Sequence, residues 1–433
     1  MPTPAETTPT PTPSPTDPPT DSPTATPDGP TVAELRRRGS GAFRLYAVGA
    51  FEDARRYYAE DFEAELSTEQ LRGGWRTWTS DAGRFGGIAG TVHRTQEGFD
   101  VVKVVGAFEA GLVAMDFVFD DAGAMVGLFH SSPNTGEYAP PDYVTADAVA
   151  ETEVSVSGEA CTLPGVEARP ADGSAPPAVL LVGDDGPRDR NGAVGPNRPL
   201  QDLAWGLADR GVASLRYDSR ALACESLAPE DTTLDALVAD ATAAVDRLRT
   251  ANRDRRVAVV GHGLGGWVAP RVAAETSVDG VAVLAAPARP LTTTRVEAAR
   301  HVVTADGTTG DTERRWVEFV ESEAELAASG DLGPEEAALG ATGAFWASVD
   351  GYDPVAETDA LSVPDLRLFG GRDFEVPAAD RERWAANGEV RVVEAANHLL
   401  QPGRGTPTPG EYALPNSVPA SVVDAVAGFV TGL

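Results

Sequence analysis

The pattern of apolar and polar positions divides the chain into distinct regimes. Residues 1–30, MPTPAETTPTPTPSPTDPPTDSPTATPDGP, repeat threonine and proline among scattered acids and offer no apolar set with which to fold. Nothing there can offset the entropy lost on ordering, so an extended, disordered tail is predicted. Residues 31–132 read as a first compact unit. TVAELRRRGSGAFRLYAVGAFEDARRYYAEDFEAEL has a helical period, interrupted at Gly39-Ser40-Gly41 and near Gly49. LSTEQLRGGWRTWTSDAG predicts a further helix with Thr68 as its N-cap. The period then changes. DVVKVVGAFEAGLVAMDFVFDDAGAMVGLFHSS reads as three strands joined by glycine-containing turns, with Asp-Asp-Ala-Gly as a hairpin signal. Helices followed by a meander predict a small α+β unit built on a curved sheet.

A proline-bearing linker occupies 133–150, and the pattern from 151 to 433 differs again. TEVSV and ACTLPGVEA predict an opening hairpin. Short apolar runs then alternate with amphipathic stretches. AVLLVG (178–183) reads as a buried parallel strand, and VASLRYD (212–218), RVAVVG (256–261), VDGVAVLAAP (278–287), DLRLFGG (365–371) and EVRVVEAAN read as further strands. PLQDLAWGLADRG is amphipathic and stops at Gly211. TLDALVADATAAVDRLRT places Leu234, Leu237, Val238, Ala241, Val245 and Leu248 on one helical face, and SVVDAVAGFVTGL predicts a closing helix. Such alternation implies an α/β fold: an open, mostly parallel sheet with helices on both faces. The stretch 288–352 breaks the rhythm; it is helical and acidic, and lies between two strands where a lid is commonly inserted.

Composition narrows the partners. The chain of 433 residues carries 66 Asp+Glu against 35 Lys+Arg, a net charge of −31, and its single lysine is Lys103. Such a surface repels nucleic acid and anionic lipid, which are set aside as partners. A GC-rich genome accounts for arginine replacing lysine but not for the acid excess. Adaptation to concentrated salt, in which self-repulsion is screened, accounts for that excess, and the composition resembles that of proteins from salt-loving archaea. The two cysteines, Cys161 and Cys224, form no CxxC or Cys/His metal pattern and read as buried free thiols, with pairing as the alternative. No apolar run approaches the roughly 18 residues of a membrane span. The Thr/Pro-rich tail suits an exported or cell-surface protein whose signal lies upstream of Met1; a soluble protein with a free tail is the other reading.

In a parallel α/β sheet, function gathers at the carboxyl ends of strands. Three such ends carry chemistry here. VVGHGLGGWVAPRVA (259–273) is a strand, a glycine-studded turn and a helix, the setting in which G-x-S-x-G presents a nucleophilic serine. Here the turn is Gly261-His262-Gly263-Leu264-Gly265, with glycine at the serine's position. Gly370-Gly371-Arg372-Asp373 follows the next-to-last strand and Asn397-His398-Leu399 the last one. The order elbow, acid, histidine is that of a Ser-His-Asp hydrolase, with His398 as base and Asp373 orienting it. His262 reads as a packed histidine directed away from the cleft, and His93 and His130 as structural or surface residues. No other G-x-S-x-G occurs. Ser219 and Cys224 lie in a loop that approaches the site and are the remaining candidate nucleophiles.

Several stretches resemble a family of bacterial and archaeal α/β-hydrolase carboxylesterases with a small α+β domain in front: GPRDRNGAVGPNRPLQDLAWGLADRGVASLRYDSR, GHGLGGWVAPRVA, VLAAPARPL, FWASVDGYDP, LFGGRDFEVP and EAANHLLQPGRGTPTPGEY. Together they cover nearly all of 144–433. The resemblance implies a serine nucleophile, no metal, no cofactor, and acyl esters as ligands. Against that pattern the chain departs twice. Gly263 replaces the serine, and a His-Gly-Ser-Gly-Pro-like turn, whose N–H completes the oxyanion hole, reads Gly183-Asp184-Asp185-Gly186-Pro187. Asp184 and Asp185 bring negative charge where negative charge should be stabilised, leaving the Leu264 N–H as the other oxyanion donor. A catalytically impaired hydrolase is therefore expected, with a cleft still open to a small ester or acyl ligand. The alternatives are an active acyl hydrolase using His398 and Asp373 with a water or another nucleophile, and a surface interaction protein acting through 31–132, its protein partner unknown.

Overall fold

The computed structural model describes residues 29–433 apart from 81, 97, 110, 134–136, 175, 225, 252–254, 306 and 308; the predicted disordered tail lies outside the described residues. In the front domain, helices α1 (Val32–Ala47) and α2 (Thr68–Thr79) pack on an antiparallel sheet of β1 (Phe85–Gln96), β2 (Phe99–Phe108), β3 (Gly111–Phe119) and β4 (Met125–Ser131) in simple meander order. An aromatic cluster joins the layers: Phe43 of α1 meets Trp75 of α2 edge-on with ring centroids 5.2 Å apart, and Phe85 and Phe108 complete it.

Three local expectations are corrected here. The helix runs unbroken through Gly39-Ser40-Gly41, because all three are buried against the sheet and the Tyr57 ring. A Cβ on Gly41 would lie 2.7 Å from the Tyr57 hydroxyl, so the small residues serve close approach rather than interruption. Ser67, not Thr68, caps α2, through a reciprocal box with Gln70. The meander has four strands where three were expected. The additional one, FGGIAGTVHRTQ, carries the glycines and polar residues that disguise a strand.

The second domain is an eight-stranded sheet. Its strands are β5 (Val149–Ser157), β6 (Thr162–Pro170), β7 (Ala178–Val182), β8 (Ala213–Tyr217), β9 (Val257–His262), β10 (Gly280–Leu284), β11 (Asp365–Gly370) and β12 (Val390–Val393), in spatial order β12-β11-β10-β9-β7-β8-β6-β5. β6 pairs antiparallel with both β5 and β8, so it alone runs against the sheet, and β8, β7, β9, β10, β11 and β12 pair in parallel. Every residue of β7, β9 and β10 is buried, as expected where helices cover both faces. Those helices include α3 (Pro199–Asp209), α4 (Leu234–Ala251) and α5 (Gly265–Glu275). Between β10 and β11 lie α6 (Leu291–Thr304), α7 (Asp311–Ser329), a two-residue strand pair at 337–342 and α8 (Gly343–Val349). This insertion reaches the front domain: Trp316 meets Phe85 at 5.6 Å and Glu313 pairs with Arg44 at 3.2 Å. α9 (Ala420–Thr431) closes the chain. Among the described residues no helix is long and apolar enough to cross a membrane.

The free-thiol expectation is overturned. Cys161, just before β6, and Cys224, at the end of the short helix after β8, form a disulfide, their Cα atoms 5.8 Å apart. The antiparallel pairing of β6 with β8 carries these segments side by side although 63 residues separate them in sequence.

Candidate active site

The elbow follows from close packing. A Cβ on Gly261 would lie 2.0 Å from the Gly265 carbonyl oxygen, and one on Gly265 would lie 2.4 Å from that of Val182. No larger residue fits at either place, and these contacts fold β9 sharply into α5. Gly263 is different. Its φ is +56°, as a nucleophile elbow requires, and no backbone atom stands among the nearest atoms to its missing Cβ. What stands there is the Asp184 carboxylate, with Oδ1 2.0 Å from the Cβ position.

Asp184 comes from the turn after β7 and bridges the elbow to His398. Its Oδ1 accepts the Leu264 N–H at 2.7 Å, and its Oδ2 lies 3.1 Å from His398 Nε2. On the far side of the ring, His398 Nδ1 lies 2.9 Å from Asp373 Oδ2. The other Asp373 oxygen accepts from the N–H groups of Glu375 and Val376, both at 2.9 Å, so it can only orient the ring in one direction. His398 is held by a tight loop in which Leu400 adopts φ +59° and the Asn397 N–H donates to the Gln401 carbonyl. Both His398 and Asp373 are buried.

The electrostatics follow from this geometry. Burial by itself would lower the pKa of His398, but the carboxylates of Asp373, Glu375 and Asp184 outweigh it and hold the ring well above the ordinary histidine range. Burial would likewise raise Asp184, yet the bond to His398 and the charges of His398 and Arg188, which lies 3.8 Å away, hold it well below the carboxylate range. His398 is thus flanked by two carboxylates, an arrangement that favours its protonated form. A histidine bearing protons on both nitrogens has no lone pair with which to act as base.

His262 lies behind this array. It is buried, its Nε2 is 2.7 Å from the His398 carbonyl oxygen, and its ring centroid is 5.0 Å from that of His398. Burial and the neighbouring cation push it down to about 4. Because the unfolded chain binds this proton near pH 6.5 and the folded chain does not, stability is lost as pH falls from 6.5 towards 4, by roughly 3 kcal/mol for a shift of this size. Urea unfolding of His262→Asn should show a flatter profile across that window than the wild type; equal slopes would refute the assignment.

The other sequence candidates are placed elsewhere. Asp185 turns away from the elbow: its carboxylate bonds Arg295 of α6, and its carbonyl oxygen accepts from Arg188 Nε. The Ser219 hydroxyl donates to the Gly186 carbonyl at 3.1 Å and accepts the Arg188 N–H at 3.0 Å, which ties down the acidic turn. Cys224 is consumed by its disulfide. His93 pairs with Asp100 at 2.7 Å, and His130 stacks on Trp78.

Sequence reasoning missed the contribution of the front domain. Glu109, just after β2, accepts from the Arg84 N–H at 3.0 Å and from its Nε at 2.9 Å, and lies 4.0 Å from Arg295. Burial and the Asp185 charge push its carboxyl up, against Arg84 and Arg295. Glu109 and Gly83 form part of the wall of a cavity of about 370 Å³ beside Asp184. Leu237, Leu264, Val268 and Phe345 give that cavity much of its apolar surface, and Tyr217 also lines it. The sequence signal was faint: one acid at a strand end among 66 acidic residues.

Comparison with known proteins places the fold. Residues 197–413 match the alpha/beta hydrolase family, and residues 42–128 match a family described only as a protein of unknown function (DUF3887). Esterase EstD of Thermotoga maritima is 30% identical over 387 residues, covering 88% of this chain and 91% of that protein. Solved structures with a similar fold include Est1E from Butyrivibrio proteoclasticus (16% identity, TM-score 0.42, 65% of this chain and 98% of that one). A thermophilic esterase from Thermogutta terrifontis is another (19% identity, TM-score 0.41, 65% and 98%). With its strand order, its elbow and a relative aligned over most of both chains, this protein belongs to the α/β-hydrolase family, among its esterase-like members.

Proposed function

We propose that this chain is an esterase-fold protein that binds a small ligand in its cleft and does not hydrolyse acyl esters by the serine route. One observation carries the reading: the Asp184 carboxylate fills the position of the elbow side chain and at the same time engages the oxyanion N–H of Leu264 and the Nε2 of His398. An acyl ester entering the cleft meets no hydroxyl at the elbow, no free base and a negative charge where its oxyanion would form. In subtilisin, loss of the nucleophile costs about a million-fold in turnover. The filled elbow also leaves no room there for a water to replace the serine. Short-chain aryl esters in concentrated salt, with His398→Ala as control, test this directly. The expected result is the same background rate for both proteins and no labelling of the native chain by a fluorophosphonate. Turnover that disappears in the control overturns the reading.

The participation of Glu109 in the cavity wall supports a front domain that helps shape the ligand site rather than acting as a separate interaction module. The disulfide together with the Thr/Pro-rich 1–30 supports an oxidising, extracytoplasmic setting. The net charge of −31 supports adaptation to salt. The melting temperature is then expected to rise steeply from dilute buffer to molar KCl as self-repulsion is screened; an equally high value without added salt would remove the idea.

A further inference from the structure

A groove of about 990 Å³ runs between the front domain and the α6–α7 insertion, so neither domain makes it alone, and it shares no residue with the wall of the cavity beside Asp184. Its volume is at the upper end of the range of ligand sites. We propose that this groove binds a short anionic oligosaccharide whose carboxylate groups pair with Arg36, Arg37 and Arg56.

The groove gathers arginines on a chain whose net charge is −31. Helical spacing sets one wall: Arg36, Ser40 and Arg44 stand four residues apart along α1 and share a face, with Arg37 beside them. Arg38, which also lines the groove, donates to the Gly123 carbonyl oxygen, and Arg44 pairs with Glu313. Arg36, Arg37 and Arg56 form no ion pair among the described residues; Arg56 lies over the Tyr57 ring at 5.4 Å. The acids of the groove are already engaged. Glu34 accepts from the Thr31 N–H at 2.7 Å and is held below the ordinary carboxylate range chiefly by that bond, with Arg37 and Arg38 adding a smaller effect. Asp311 pairs with Arg314, and Glu313 accepts from the Gly310 N–H at 2.6 Å. Three guanidinium forks without counter-charges in one concavity suit carboxylates, which they hold through paired bonds.

The rest of the polar surface is hydroxyl. Ser40, Thr91, Thr312 and Thr408 line the groove, and none of their hydroxyls has a hydrogen-bond partner among the described residues. Ser40 is only 9% exposed, so its unpaired hydroxyl carries a desolvation cost that a ligand hydroxyl in the groove recovers. A bare anion leaves these hydroxyls unpaired, and a lipid chain finds little beyond Ile88, Val302 and Ala305 to cover. A sugar acid satisfies both sets, carboxylate to guanidinium and ring hydroxyls to Ser40 and the threonines. Concentrated salt sharpens the choice. At 1 M the Debye length is about 3 Å, so the distant acids of the chain no longer repel an anion. Nucleic acid, whose affinity comes from counterion release, binds poorly under those conditions, while hydrogen bonds made in direct contact persist.

Calorimetric titration of the whole chain in molar KCl tests this, with trigalacturonate as the probe, maltotriose as the neutral sugar and citrate as the anion without a ring. The expected result is saturable binding of trigalacturonate, with maltotriose and citrate each weaker by about tenfold or more. Arg36→Gln and Arg37→Gln together should weaken trigalacturonate by about tenfold or more. Both side chains are exposed, so the melting temperature of that variant should stay at the wild-type value. Ser40→Ala should weaken trigalacturonate by about two- to tenfold and leave citrate unchanged. No binding of trigalacturonate, citrate binding as tightly as trigalacturonate, or full affinity in either variant overturns the proposal. A single-stranded oligonucleotide that binds more tightly than trigalacturonate in the same salt overturns it in favour of nucleic acid. Ester turnover and fluorophosphonate labelling are read at the cleft, so their outcome decides the reading of the cleft and leaves this one to the titration.

Discussion

A chain carrying Asp184→Gly together with Gly263→Ser is expected to react with a fluorophosphonate, while each single variant remains unlabelled. The reason is steric and electrostatic at once. In Gly263→Ser alone, the new Cβ would lie 2.0 Å from Asp184 Oδ1, and the carboxylate would still hold His398 as a cation. In Asp184→Gly alone the space is cleared but no hydroxyl is present to be phosphonylated. Together the two changes give the hydroxyl room, free the Leu264 N–H for an oxyanion, and remove one of the charges that keep His398 protonated. Loss of such a nucleophile costs on the order of a million-fold in subtilisin, so near-stoichiometric labelling against none is the contrast to look for. The measurement is intact-protein mass after exposure to the probe. Labelling of Gly263→Ser alone, at the rate of the double variant, would show that Asp184 does not block the elbow.

The largest expected effect on stability is at Asp240. Arg220, which opens a one-turn helix (Arg220–Ala223) after β8, and Asp240, on α4, form a bidentate pair at 2.7 and 2.8 Å, and both are nearly inaccessible to solvent. Arg220 also donates to the carbonyl oxygens of Asp231 and Ala236, so its guanidinium is locked in place. Asp240→Ala leaves that cation buried without its counter-charge. Removing one partner of a buried pair costs about 3–5 kcal/mol, a large part of the roughly 5–15 kcal/mol that holds a domain together. Urea unfolding at constant salt should show the loss as a lower midpoint. A change below about 1 kcal/mol would mean that the pair is solvated enough to do without Asp240.

The elements that the sequence revealed are those whose residues interact mainly with what lies next to them along the chain. The strands β7, β9 and β10 were legible as unbroken apolar runs because helices cover both their faces. α4 was legible because its apolar positions recur at helical spacing. β1 was not, since its glycines and polar residues obscure the alternation that a half-buried strand shows. The break expected at Gly39-Ser40-Gly41 had a related cause: a small residue is ambiguous in sequence, and only the sheet packed against α1 shows that its role is close approach.

The same division runs through the site. By itself the sequence determined the order elbow, acid, histidine, the glycines that the turn requires, and the absence of a hydroxyl at Gly263, because each is written in a short local motif at the end of a strand. Only the tertiary structure decided what fills the place of that hydroxyl. In sequence the glycine at 263 and the aspartate at 184 are two separate departures. In the fold, parallel pairing of β7 with β9 brings their carboxyl ends together, and Asp184 reaches across to occupy the space that Gly263 leaves. Likewise the union of Cys161 with Cys224 and the presence of Glu109 at the cavity wall depend on which strands become neighbours and on how the front domain docks. Sequence spacing encodes neither, because a side chain's partners across a sheet or a domain interface are chosen by packing and not by distance along the chain.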